Sequence, residues 1–224
     1  MKPHKPYFGL LQRRELLLPT WPGLLLLALL FTGFMLITVL NVQSFLTLTE
    51  PVKAKILVVE GWVPDYVLEE AMSEFELGHY SKLYVTGGPI ERGLAMSRFK
   101  TFAEHGATML IKMGLSASDV EAVPAPKVQR DRTYVSALAL KSRLQGLGAG
   151  VKSMNLVSEG VHARRSRLLF EKAFDHDISV GIIAIEDRNY VNEHWWKYSD
   201  GVRSVIDELF AYLYALLVFP FVEP

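Results

Sequence analysis

The hydrophobic pattern divides the chain into two regimes. No Asp, Glu, Lys or Arg occurs between Glu15 and Glu50, and the centre of that stretch, Leu24 to Leu40, reads LLLLALLFTGFMLITVL. With Leu16, Leu17, Leu18 and Trp21 ahead of it, the run supplies the ~20 helical residues that a hydrocarbon core of roughly 30 Å requires. A cleavable signal peptide has an apolar region of about 7–15 residues followed by a small-x-small site. Here the run is longer and Asn41 to Glu50 has no such site, so the pattern predicts an uncleaved anchor. Trp21 and Pro22 suit one interface of the bilayer.

After the anchor, short apolar runs alternate with helical spacing. Ile56 to Val59 (ILVV), Leu83 to Val85, Val120 to Val123, Met154 to Val157 and Ser179 to Ile185 read as strands. Short continuous runs bounded by turn residues fit strands buried on both faces. Helices are expected at Val67 to Leu77 with Asp65 as N-cap, at Leu94 to Met113 with a break at Gly106, at Thr133 to Leu144, and from His162 onward. This alternation predicts an α/β fold, a three-layer Rossmann-like parallel sheet, preceded by one N-terminal transmembrane helix. The expected divisions are 1–15 cytoplasmic N-terminus, 16–40 transmembrane anchor, 41–54 stalk, and 55–224 Rossmann-like domain with a C-terminal apolar helix. That last helix, Val202 to Phe219, has no charge from Leu209 to Val222. It is short for a span, and packing on the sheet is the expected arrangement. The competing arrangement has Tyr212 to Phe221 dipping into the membrane, with Trp195 and Trp196 at the interface.

Composition narrows the function. The 224 residues carry no net charge and no cysteine. A neutral chain without a basic stripe argues against nucleic acid as a partner. The lack of cysteine excludes a disulfide framework, a thiol nucleophile and Cys-ligated zinc. Lys2, Lys5, Arg13 and Arg14 precede the apolar run, opposed by Glu15, whereas Glu50, Lys53 and Lys55 follow it. The more positive flank stays in the cytoplasm, so the globular part is expected outside it.

In a parallel sheet all strand C-termini lie on one edge, where ligands bind. The residues that follow the strands there are Glu60, Gly61 and Trp62; Gly87, Gly88, Glu91 and Arg92; Arg130, Asp131, Arg132 and Thr133; Ser158, Glu159, His162 and Arg165; and Asp187 and Arg188. The opposite connections are blander. His162 is the candidate general acid or base, its reference pKa being near 6.5, and Glu60 the candidate second catalytic group. Gly61, Trp62, Gly87, Gly88, Glu91, Arg92, Arg130, Asp131, Thr133, Ser158, Glu159 and Arg165 are the candidate ligand-binding set. Arginine forks suit phosphate or carboxylate oxygens, and glycines let a ligand approach the backbone. Thr133 and Ser158 are expected first as helix caps, with donation to a phosphate as the alternative. No His pair has zinc spacing, and neither a Walker lysine nor a G-x-S-x-G elbow is present. No metal set is expected and no cofactor is named by the sequence.

The order of ILVVEGW, YVTGG with Glu91, RDRTYVSA and SEGVHARRS resembles the SanA/YdcF/ElyC family of bacterial envelope proteins over about Lys55 to Ile185. The chain departs from that family's pattern at Glu60-Gly61-Trp62, where the family is often richer in glycine. It departs again at Ser136-Ala137, often Asn-Ala, and at Arg165-Ser166, often Arg-Ala. The resemblance implies a Rossmann-like fold, a bacterial inner-membrane anchor with the N-terminus in the cytoplasm, and a cell-envelope role. The expected function is to act on or bind a phosphate-bearing ligand, with a lipid-linked one as the natural candidate, as a hydrolase or transferase if catalytic. The alternatives are a non-catalytic binding module for a nucleotide-like or other anionic small molecule, and an envelope scaffold. The expected partners are the lipid bilayer and the anionic ligand. Oligomeric state is not set by the sequence.

Overall fold

A computed structural model describes residues 18–91, 98–148 and 150–219. The chain forms two compact units, Met1–Leu40 and Asn41–Pro224. The first contains most of helix α1 (Trp21–Leu46), which is long and apolar enough to cross a membrane. Its leucines and phenylalanines are exposed over Leu24 to Leu40, as lipid-facing side chains would be.

The second unit is an α/β domain. Strands β1 (Ile56–Glu60), β2 (Lys82–Gly87), β3 (Val120–Pro124), β4 (Ser153–Glu159) and β5 (Ser179–Ile185) form one parallel sheet of order β3-β2-β1-β4-β5. The order reverses between β1 and β4, the switch point at which open α/β sheets bind ligands beyond the strand C-termini. Helices α2 (Asp65–Leu77) and α3 (Phe102–Met113) cover one face. Helices α4 (Arg132–Gly146) and α5 (Ala163–Ala173) cover the other. The last helix, α6 (Ser199–Leu217), packs on α5 through Ala215 and Leu169.

Strand periodicity sorts the side chains between these faces. Leu57, Val59, Leu83, Val85 and Val157 pack under α2 and α3. Val58, Tyr84, Met154 and Leu156 pack under α4 and α5. Continuing that alternation, Glu60, Thr86 and Ser158 turn toward α4 and α5, and Glu159 turns toward α2.

Several boundaries differ from expectation. Helix α3 starts at Phe102, and Leu94, its expected start, lies outside the described residues. Thr101 and Glu104 form a reciprocal capping box there, with Glu104 N–H donating to Thr101 Oγ1 at 3.2 Å and Thr101 N–H to Glu104 Oε2 at 3.1 Å, which fixes the start. Pro64, not Asp65, occupies the N-cap position of α2, and Asp131 that of α4. Gly106 does not break α3. A Cβ there would lie 3.2 Å from Gly61 Cα and 2.9 Å from Val85 Cγ1, and one on Gly61 would lie 2.4 Å from the Phe102 carbonyl oxygen. The two glycines let α3 rest directly on the ends of β1 and β2.

Of the expected stalk, residues 41–54, Asn41 to Leu46 continue helix α1, and the segment around Glu50 lies against β5. Glu50 exchanges backbone hydrogen bonds with Ile182 (2.8 and 3.1 Å), and the Asn155 amide bonds both the N–H (2.8 Å) and the carbonyl (2.9 Å) of Val52. Trp195 is buried. It packs against Gly201, whose absent Cβ would meet the Trp195 carbonyl oxygen at 2.5 Å.

Gly61→Ala forces a methyl against a backbone carbonyl, an overpacking that costs about 1–3 kcal/mol. Urea unfolding is expected to show that loss. Gly146→Ala, which meets nothing within 4 Å, is expected to leave the midpoint unchanged or raise it.

Candidate functional site

The Glu60 carboxylate, at the end of β1, is 2 % exposed. Its position follows from the strand pattern, since it is the next residue on the face of Ile56 and Val58. Oε2 accepts hydrogen bonds from Ser158 Oγ at 2.6 Å and Ser166 Oγ at 2.8 Å. Ser158 is the matching position on β4, and Ser166 lies on the buried stripe of α5 with Ala163, Leu169 and Phe170. Oε1 is left facing His162 Nε2 at 3.6 Å.

His162 ends the short 3₁₀ turn Gly160–His162 that joins β4 to α5. Gly160 starts it with φ +43°, a conformation that side chains with a Cβ adopt rarely. The imidazole Nδ1 donates to Glu208 Oε1 at 2.7 Å. Arg165, three residues on, holds the same carboxylate in a fork: Nε to Oε2 at 2.8 Å and Nη2 to Oε1 at 2.9 Å. The Trp62 ring packs edge-on to the imidazole at 4.7 Å.

Two carboxylates and two cations thus alternate as Glu60, His162, Glu208 and Arg165. Burial opposes the charge on His162, but the Glu60 charge and the bond to Glu208 outweigh it and push the imidazole up to about 9. Burial likewise opposes ionisation of Glu208, yet Arg165 and His162 hold it down at about 2. For Glu60, burial is overcome by the His162 charge, 3.6 Å away, and the hydrogen bonds from Ser158 and Ser166, so its pKa is lowered. Near neutral pH the network is fully ionised and internally neutral.

A cavity of about 650 Å³ opens above this network. Its wall takes in Glu60, Trp62, Thr86, Gly87, Gly88, Glu91, Arg130, Asp131, Arg132, Thr133, His162, Arg165 and Glu208. Helix α4 presents its first turn there through Asp131, Arg132, Thr133 and Ser136. Asp131 adopts a left-handed conformation (φ 58°) and makes no side-chain cap, so the helix's positive end faces the cavity without a capping oxygen. Lys127 pairs with Glu91 at 3.4 Å and Arg130 with Asp131 at 3.6 Å. Two buried polar atoms at the cavity's inner end, His162 Nε2 and Thr86 Oγ1, lack a hydrogen-bond partner among the described residues. Buried polar groups rarely go unpaired.

Most of the expected residues meet at this cavity; three stand apart. Ser158 lies behind Glu60 as its hydrogen-bond donor and caps no helix. Gly61 is a packing position under α3. Glu159, on the opposite strand face, accepts from Tyr66 Oη at 2.5 Å. Arg92 lies outside the described residues. Thr133 sits in the first turn of α4, where Asp131 occupies the cap. Glu208, Ser166, Thr86 and Arg132's neighbour Ser136 join the site without having been singled out as ligand or catalytic residues. Glu208 had one signal: a carboxylate three residues from buried Val205, on the inward side of an apolar helix. Among the described residues no group of three or more His, Asp or Glu is placed to hold a metal ion.

Comparison with protein-family models, curated proteins and solved structures found no match.

The shifts give the stability profile a sign. His162, raised from 6.5 to about 9, stabilises the fold fully below pH 6.5, and that contribution is lost as pH rises through 9. Glu208, lowered from 4.5 to about 2, stabilises above pH 4.5 and less as pH falls toward 2. The His162 contribution is on the order of 3 kcal/mol. Unfolding free energies measured from pH 6 to 10 are expected to fall for the wild type and to fall less steeply for His162→Gln.

Proposed function

We propose that this chain is a membrane-anchored, extracytoplasmic enzyme of the cell envelope, related to the SanA/YdcF/ElyC family. In this reading it transfers or hydrolyses a phosphoryl group on a phosphate-bearing ligand. The observation that carries it is the unpartnered Nε2 of a charged His162 beside Glu60 Oε1, 3.6 Å away, at the floor of the cavity.

The residues divide the work as follows. His162, Arg132 and the first turn of α4 bind the phosphate oxygens. Arg132 is exposed at the rim and shows no ion pair among the described residues. His162 donates its Nε2 proton to the leaving oxygen as its bond to phosphorus breaks. Glu60 Oε1 accepts the proton of the attacking hydroxyl, from water or an acceptor alcohol, as the new bond forms. The His162 charge holds the Glu60 pKa down, so Glu60 becomes more basic as His162 gives up its proton. Proton return from Glu60 to His162 restores the starting state. Glu208 and Arg165 keep the imidazole oriented and charged throughout.

Two departures from the family pattern, Glu60 and Ser166, are hydrogen-bonded to each other at 2.8 Å. This favours a carboxylate at Glu60 as a feature of this chain's own chemistry. The anchor reading rests on α1 and on the charge asymmetry of its flanks.

The test is phosphate release by the full chain in lipid nanodiscs, offered pyrophosphate, sugar phosphates and polyprenyl phosphates. A general acid contributes about 10²–10⁴ in rate, so His162→Gln is expected to lower kcat by at least about 100-fold. Arg132→Ala is expected to raise KM with a smaller effect on kcat. The wild-type rate is expected to decline above pH 9 as His162 loses its proton. Ligand-dependent stabilisation without turnover of any compound would instead establish the binding-module reading.

A further inference from the structure

Thr86 ends β2 with a side chain that the fold itself does not use. It is 1 % exposed, its Oγ1 has no hydrogen-bond partner among the described residues, and it lines the cavity. Its backbone is committed elsewhere, the carbonyl accepting from Gly61 N–H at 2.7 Å. Valine has nearly the same shape and suits a buried strand position at least as well. A hydroxyl taken out of water without a partner costs free energy that valine would not. A bound ligand is the partner that accounts for it. The sheet's register shows what the hydroxyl lies beneath. Thr86 pairs with Glu60 across β2 and β1 and shares the strand face of Tyr84, which packs with Ala137 of α4. Two residues further along β2 is roughly 6.6 Å. Helix α4 crosses over between two parallel strands and so runs antiparallel to them. Four residues back from Ala137, roughly 6 Å of rise, brings Thr133 level with Thr86. Thr133 and Ser136 line the same cavity.

We infer that Thr86 and the first turn of α4 together form a subsite for a tetrahedral oxyanion, with the Thr86 hydroxyl donating to one of its oxygens. The inference rests on the reading above for its choice of phosphate, and not on the acid and base roles of His162 and Glu60. The first N–H groups of α4 have no partner within the helix, and Asp131 supplies no side-chain cap. An N-terminus of this kind attracts anions, and the buried, unpartnered hydroxyl beneath it is the independent sign of a ligand. Donors from a strand end and from a helix turn approach from different directions. That suits the four oxygens of a phosphate better than the planar pair of a carboxylate. The strand order β2-β1-β4 sets the subsite on the other side of Glu60 from the β4 end, where His162 follows. Thr86 and His162 therefore take different parts of the ligand.

Inorganic phosphate is titrated by calorimetry into the full chain in lipid nanodiscs, as wild type, Thr86→Val and Thr86→Ser, with acetate as the planar anion. The same proteins are unfolded in urea and assayed for phosphate release from pyrophosphate, sugar phosphates and polyprenyl phosphates. The subsite predicts that Thr86→Val weakens phosphate binding about tenfold, the effect of losing one hydrogen bond. Its urea midpoint holds or rises, because no bond within the fold is lost. Thr86→Ser restores the affinity, and acetate binds the wild type more weakly than phosphate does. A lower midpoint for Thr86→Val overturns the inference, since the hydroxyl then has a partner in the fold. Acetate binding as tight as phosphate overturns it too. Weakened phosphate binding in Thr86→Val without turnover of any compound by the wild type supports the subsite and overturns the enzyme reading. Turnover by the wild type with phosphate affinity unchanged in Thr86→Val overturns the subsite and leaves the enzyme reading standing. No phosphate binding and no turnover by the wild type overturn both.

Discussion

The charge on Glu60 is the constraint around which the domain is arranged. A carboxylate taken almost entirely out of water costs several kcal/mol unless it is paired and hydrogen-bonded. Strand parity leaves no alternative, because Glu60 continues the buried face of β1. Two serines from different elements, Ser158 and Ser166, saturate one oxygen, and His162 faces the other. His162 in turn needs Glu208 to remain charged so far from solvent, and Glu208 is clamped by Arg165. Each group repairs the electrostatic cost of the one before. The chain of compensation crosses β1, β4, α5 and α6, and so ties the C-terminal helix to the strand at the centre of the sheet.

That dependence explains why the cavity lies where it does. The switch point between β1 and β4 leaves a crevice in any doubly wound sheet. Here its lining holds ionised groups and two polar atoms, His162 Nε2 and Thr86 Oγ1, without a hydrogen-bond partner among the described residues, and it includes the first turn of α4. The glycine contact between Gly61 and Gly106 serves the same place from the other face. It seats α3 against the ends of β1 and β2, which holds the start of the Glu60-Gly61-Trp62 turn.

The fold was legible because its signals are local. Runs such as ILVV and SVGIIAI read as buried parallel strands, and the sheet contains both. The pairing of Glu60, His162 and Arg165 at one edge followed from strand direction alone. What stayed hidden depends on distant parts of the chain. Glu208 reaches His162 from 46 residues away, and the spacing of α6 turns it inward without naming its partner. Glu159 was expected at the same binding edge as Glu60, but one residue of parity sends it to the opposite face, where Tyr66 takes it up. The capping box of Thr101 and Glu104 sets the start of α3 at Phe102, a signal that apolar spacing alone did not pick out. Gly106 looked like a breaker until its neighbour across the interface, Gly61, gave it a packing role.

The claim that joins fold to function is that His162 is a buried cation held between two carboxylates. Its most direct test is a pH titration of histidine ring resonances in the isotope-labelled full chain, with His162 assigned by its loss in His162→Gln. A cation held there gives one imidazole that stays protonated through neutrality and titrates near 9. An imidazole at that position titrating at or below 6.5 would contradict it, and with it the role of His162 as the acid.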